Sequence, residues 1–257
     1  MQKYLKYIGF IGICLFSFYY TEKIALYVRN KNPIIQSLNE VSEDLYVNAE
    51  DCELVSDIYI IPGLNGKEVN VNGSYNNMKD YNEFIEDKII YNQVKPDNSL
   101  DSNKDRIIIR GNKVKNSVSL IFNDINNLTR YMNQMKYKVN VLIKNEEYDM
   151  NYELINSSKD EKTYKNIDSY LSKNKINKQL CLVNDEIPST CKDKYLFKPS
   201  LTINHSNFST NINNIRSGEI ILVENSLTLA ELNILVNKIK SQGLNIVPLS
   251  NLISETN

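Results

Sequence analysis

Across 257 residues the chain has no tryptophan and a single histidine, His205. One imidazole cannot supply the several nitrogen ligands of an ordinary water-activating zinc site, so any such site would have to be built on carboxylates. Four cysteines are present, none in Cys-x-x-Cys spacing, which removes the usual thiolate metal motifs. A formal net charge of -1 lacks the basic excess of a nucleic-acid or anionic-membrane footprint. No phosphate loop is present either. The segment PGLNGK at 62–67 lacks the required spacing and is followed by Glu68, so it reads as a tight turn. Abundant Asn, Lys, Ile and Tyr beside absent Trp is the composition of an AT-rich genome.

What is present begins with one long uncharged run. Lys3 and Lys6 precede Tyr7–Tyr20, YIGFIGICLFSFYY. As a helix those fourteen residues reach about 21 Å, and about 25 Å if the helix starts at Tyr4 with Lys6 snorkelling, against a hydrocarbon core of about 30 Å. No small-x-small cleavage site follows, and the early lysines favour a cytoplasmic N-terminus. The expectation is an uncleaved signal anchor over residues 1–28, with a cleaved signal peptide and a buried globular helix as the competing readings. The bulk of the chain would then lie outside the cell, in the cell envelope.

Residues 23–50 read as a helical stalk. Ile58–Ile61 is a short apolar strand; Asn65-Gly66 and Asn72-Gly73 are hairpin-type turn signals; Tyr75–Asp87 has helical spacing of Met78, Tyr81, Phe84 and Ile85. Ile89–Val94 and Ile107–Arg110 read as strands. This makes 29–111 a stalk with a small β-rich accessory segment, and 112–257 the main domain. Within it, Ser117–Phe122 is a strong strand, Lys138–Ile143, Leu180–Val183 and Tyr195–Ile203 are further strands, and Lys162–Lys175 is a helix. Cys181 and Cys191, with nine residues between them, could close a loop as a disulfide or stay as buried thiols. Cys52 has no evident partner.

The stretch Gly218–Leu252 is the most informative. Glu219–Glu224 is a buried strand, Thr228 and Glu231 have capping-box spacing, and Leu229, Leu232, Leu235, Val236 and Ile239 form one apolar stripe. Lys238 and Lys240 suit the helix C-terminus, Gly243 its stop, and Asn245–Leu249 the next strand. A βαβ unit implies a parallel sheet or barrel.

This unit resembles the C-terminal end of the polysaccharide deacetylase (NodB-like, carbohydrate esterase) family, where a strand ending Leu-Leu-His-Asp precedes the helix. Here the four residues are Leu222, Val223, Glu224 and Asn225. The family's first motif, Thr-Phe-Asp-Asp-Gly, falls on Phe122, Asn123, Asp124 and Ile125. The resemblance makes position 123 the general base and Asp124 a metal ligand, but an amide cannot take a proton from water. Asp124 suits equally the N-cap of a helix over Ile125–Met135, the role favoured here. The His-x-x-x-His-Pro motif finds only Tyr152–Ser157, with no histidine. The Arg-x-Pro-Tyr motif finds Phe197-Lys198-Pro199-Ser200, so Lys198 is a candidate substrate-groove residue without its charge partner.

The resemblance implies an α/β fold, a partial or irregular (β/α) barrel, preceded by the accessory segment and a transmembrane helix, in a degenerate member from a low-GC Gram-positive-type bacterium. The candidate site residues are Asp124, as a catalytic relic, and Lys198. No metal site and no cofactor are expected, and the partner expected is an envelope glycan or envelope protein, with the membrane engaged through the N-terminal helix and no nucleic acid. Abundant Tyr and Asn suit a carbohydrate groove and plain solvation alike. The alternative is an active deacetylase of an envelope polysaccharide, with zinc on Asp124, Glu224 and His205; a purely structural envelope protein is the third reading.

Overall fold

The structure is a computed structural model that describes residues 2–145, 148–174, 180–184 and 187–256, with side chains from residue 11 onward except Leu26. In chain order its elements are α1 (Gln2–Asn30), α2 (Pro33–Asp44), β1 (Glu53–Leu54), β2 (Tyr59–Ile61), β3 (Gly66–Val69), α3 (Val71–Met78), β4 (Tyr91–Val94), β5 (Ile107–Ile108) and β6 (Ser117–Phe122). Then follow α4 (Asn127–Gln134), β7 (Asn140–Ile143), β8 (Glu153–Asn156), α5 (Glu161–Lys173), β9 (Leu180–Leu182), β10 (Tyr195–Phe197) and β11 (Leu201–Ile203). The last are α6 (Phe208–Asn211), β12 (Ile220–Val223), α7 (Leu229–Ser241), β13 (Asn245–Ile246) and α8 (Leu249–Ile253). The chain divides into two compact units, residues 1–48 with 66–94, and residues 49–65 with 95–257.

In the smaller unit α1 is a single helix whose stretch Ile11–Asn30 is long and apolar enough to cross a membrane. It runs past the expected limit at residue 28. Helix α2 starts with Pro33 in its first turn, where a missing N–H costs nothing, and Asn32 Oδ1 accepts from Ile34 N. Its Ile34 and Leu38, one turn apart, pack with Val69 and Met78 as the unit's core. Strands β3 and β4 pair antiparallel. Two expected hairpin turns are absent. Gly66 opens β3, opposite Val94, and Asn72-Gly73 lies in the first turn of α3. The reason is Asn70, whose Oδ1 accepts from Gly73 N at 2.8 Å and caps the helix before an Asn-Gly turn can form. The helix expected over Tyr75–Asp87 accordingly starts earlier and ends at Met78, continued by a 3₁₀ turn to Tyr81.

The larger unit is built around β6, all six residues of which are buried, as a parallel strand covered on both faces requires. One sheet has the order β11-β12-β6-β7-β8, entirely parallel, with β13 pairing the first two residues of β6. A second has the order β1-β2-β5-β10-β9, parallel apart from β1. The segments 49–65 and 107–108, expected in the accessory region, therefore lie with the main unit.

The strand expected over Tyr195–Ile203 is in fact two strands in two sheets. Lys198 N donates to Ile108 O on one side of Pro199, and Ser200 N donates to Ile220 O on the other. Proline has no N–H to offer a ladder, so pairing changes hands there. Strands β8 and β9 lie side by side without ladder bonds, leaving an irregular (β/α) barrel that is not closed. Helix α5 begins one residue earlier than expected, capped by Asp160, and the expected last residue, Lys175, lies outside the described residues. Tyr164, Ile167 and Leu171 form its buried face; Leu232, Leu235, Val236 and Ile239 form that of α7.

The N-terminal end of the barrel is closed by α8. Leu249 N donates to Asn140 Oδ1 at 2.8 Å and Ser250 N to Glu153 Oε2 at 3.0 Å. Asn140 Nδ2 in turn donates to Ser119 Oγ at 2.7 Å and Leu120 O at 2.8 Å, so this fully buried amide is satisfied on both sides. Lys115 Nζ donates to Asn251 O at 2.7 Å and to Ser254 O, placing a cation on the last carbonyls of α8. Gly218 has φ +88°, and a Cβ there would run into Gly111 O. Cys181 and Cys191 are bonded as a disulfide, while Cys52 is a buried free thiol that donates to Glu255 Oε1 at 3.2 Å.

Candidate functional site

In parallel barrels the strand C-termini supply the functional loops, because side chains from several strands converge there. At that end β6 delivers Asn123 and Asp124, β7 delivers Lys144, β11 delivers Asn204 and His205, and β12 delivers Glu224 and Asn225. A shallow cleft of about 190 Å³ lies between the ends of β6 and β7, lined by Asn123, Asp124, Ile125, Ile143, Lys144 and Asn145 among others.

Asp124 is not a helix cap. The N-cap of α4 is Asn126, whose Oδ1 accepts from Leu128 N at 2.8 Å and Thr129 N at 3.2 Å, while Asn126 N donates to Thr129 Oγ1 at 2.9 Å. This reciprocal box starts the helix two residues beyond the expected position. The Asn126-x-x-Thr129 spacing is the local signal for this cap, and it outcompetes the lone carboxylate of Asp124.

Asp124 instead holds two loops together. Its Oδ1 accepts from Asn126 Nδ2 at 2.8 Å and its Oδ2 from Asn225 Nδ2 at 2.7 Å; Asn126 Nδ2 also reaches Asn225 Oδ1 at 2.9 Å. The three side chains form a ring that ties the β6–α4 loop to the β12–α7 loop. Both carboxylate oxygens are thus engaged by neutral amide donors. Glu224 accepts from Asn204 Nδ2 at 3.0 Å. His205, largely exposed, is paired through Nδ1 with Glu231 Oε1 at 2.8 Å. That glutamate belongs to the capping box of α7. Its carboxyl is held below the usual range by the Thr228 amide, then by the Thr228 hydroxyl and by His205.

Asp124, Glu224 and His205 therefore each have a different partner. Among the described residues no three His, Cys, Asp or Glu side chains are grouped as a metal would need. The donor set does not fit a zinc ion. The stretch Tyr152–Ser157, compared above with the family's two-histidine motif, contains strand β8, and its Asn156 Nδ2 donates to Tyr164 O at 2.9 Å. Lys198 is half-buried at the change of sheets and makes no ion pair among the described residues. Asn204 carries no sequence motif of its own; only its position just beyond an apolar strand marks it.

This geometry is an α/β partial barrel of the polysaccharide deacetylase type. No protein-family model matches the chain. Over 94 residues, 37% of this chain, the sequence is 32% identical to the uncharacterized protein YlxY of Bacillus subtilis (strain 168), a match spanning 30% of that protein's length. Among solved structures the chain is similar to wild-type BA3943, a CE4 family pseudoenzyme from Bacillus anthracis, with a TM-score of 0.56 and 16% identity over 87% of this chain and 96% of that one. A mutant of BA3943 described as having restored enzymatic activity gives a TM-score of 0.55 at 14% identity, covering 87% of this chain and 99% of that one. At such identities the likeness establishes the fold.

Proposed function

We propose that this chain is a membrane-anchored, extracytoplasmic, deacetylase-like protein that no longer catalyses hydrolysis and serves as a binding module for an envelope glycan or an envelope protein. The observation that carries this reading is the Asp124 ring. A carboxylate that should face a metal is engaged by the amides of Asn126 and Asn225. Asn123 at the base position has no basic lone pair to activate water. The CE4 family pseudoenzyme of similar fold lends it support by analogy of fold alone. Anchoring rests on α1, and the exported placement on Lys3 and Lys6 ahead of its apolar stretch.

The test is acetate release by the full chain in detergent micelles, from N-acetylglucosamine oligomers and polymers, with zinc or cobalt added. No release above an Asp124→Ala control is expected. Metal-dependent release would end this reading and return the search to Asp124. With hydrolysis absent, co-sedimentation with insoluble envelope polysaccharide separates a glycan binder, which is retained, from a protein binder, which is not.

A further inference from the structure

Away from the strand C-termini, the disulfide between Cys181 and Cys191 has two unlike sides. Around it pack Ile107, Val183 and Leu196, all buried, with Tyr59 partly buried against them. Apolar walls of this kind disfavour a thiolate and make a disulfide inert. One polar group interrupts them. The buried hydroxyl of Tyr164, on α5, lies 3.7 Å from Cys181 Sγ and accepts a hydrogen bond from Lys194 Nζ at 2.7 Å. Lys194 is itself buried, its side chain 9% exposed, and its ammonium is paired with Asp168 Oδ1 at 2.7 Å. Cys191, itself buried, lines a cleft of about 620 Å³ together with Pro188, Leu196 and Lys194, which thus borders the cleft as well as the Tyr164 hydroxyl.

We infer that Cys181–Cys191 is a thiol–disulfide exchange site, attacked at Cys191 Sγ from the cleft, with Cys181 leaving as a thiolate stabilised by the Tyr164 hydroxyl and the Lys194 ammonium behind it. The assignment follows from the asymmetry. Exchange is fastest when the departing sulfur is the better-stabilised thiolate, and among the described residues the hydroxyl donor lies beside Cys181. The co-reactant is a dithiol, because its second sulfur is needed to release Cys191. Its thiolate forms a mixed disulfide with Cys191 as the Cys181–Cys191 bond breaks. The Cys181 thiolate then takes a proton, and the dithiol's second sulfur displaces Cys191. Two electrons pass to this chain, which ends with two thiols, and the partner ends with a disulfide. Besides Lys194 and Asp168, the charged groups that face the site among the described residues are Lys104, Asp105, Lys192 and Asp193, which line the cleft together with Lys194.

The experiment uses the full chain in detergent micelles at about pH 7.5, with dithiothreitol for rates and glutathione for trapping. Acid-quenched samples are read by peptide mass spectrometry. The glutathione adduct is expected on Cys191. Lys194→Gln and Tyr164→Phe are expected to slow reduction roughly three- to tenfold, from the loss of leaving-group stabilisation; Tyr164→Phe keeps the ring in the core if Lys194→Gln fails to fold. An adduct on Cys181 would overturn the assignment. So would wild-type reduction rates in a folded Tyr164→Phe variant, or a wild-type rate no faster than global unfolding.

Discussion

The two ends of the barrel treat their polar side chains in opposite ways. At the N-terminal end Asn140 and Glu153 are buried, and each receives a backbone amide of α8. At the C-terminal end Asp124 is exposed, and its partners are the side chains of other surface amides. A buried group left without a partner forfeits its desolvation energy, whereas an exposed one exchanges its partner for water. The frame of this protein is thus tied by buried bonds at the N-terminal end, while the polar contacts of the C-terminal end are exposed. Asn123 and Glu224, which the resemblance sets at a base and an acid position, both lie at that second end.

Substitutions can break or sharpen the contrast. The largest effect is expected from Gly218→Val, which brings a Cβ into Gly111 O and a β-branched residue to φ +88°. Loss of at least about 3 kcal/mol of stability, read by urea unfolding, is expected. Next is Asn140→Ala, which strands Leu249 N and Ser119 Oγ; about 1–3 kcal/mol is expected, with α8 the first segment to lose hydrogen-exchange protection. Asp124→Ala, by contrast, should change stability by no more than about 0.5 kcal/mol. A large loss there would show that the ring supports the frame and would dissolve the comparison.

A smaller effect concerns pH. Burial pushes the Cys52 thiol from 9.0 up to about 12, with its hydrogen bond to Glu255 adding to the rise. The unfolded chain then ionises first, so this contribution is complete below pH 9 and is lost as pH climbs toward 12. Cys52→Ala should flatten the alkaline decline of the urea midpoint, and native Cys52 should resist iodoacetamide at about pH 9.

The parts of this structure that are legible in the sequence are those where one local rule acts alone. The box of Thr228 and Glu231 forms as spaced, the apolar stripe of α7 is buried apart from Leu229 at its first turn, and SVSLIF is the central strand. Where two rules compete, the sequence misleads. Asn72-Gly73 reads as a hairpin turn until Asn70 is seen to cap a helix through it. Pro199 reads as a small irregularity in one strand, yet it divides two sheets. The candidate site is the least legible. Asn126 reaches Asn225 across 99 positions and Asn204 reaches Glu224 across 20, and no local window contains such pairings.

Strand β13 completes the pairing of β6, and α8 follows it at once to receive Asn140. The central strand, written in the middle of the chain, is therefore finished only by residues more than 120 positions later. Order of synthesis and order of assembly cannot coincide. Until Asn245–Ile253 has been made, β6 keeps open backbone groups and β7 a buried amide oxygen without its donor. Loop closure over such separations slows folding and prolongs the exposure of apolar strands. The barrel should form in one late, cooperative step, and a ribosome-stalled chain ending before Asn245 should remain open to proteases along β6.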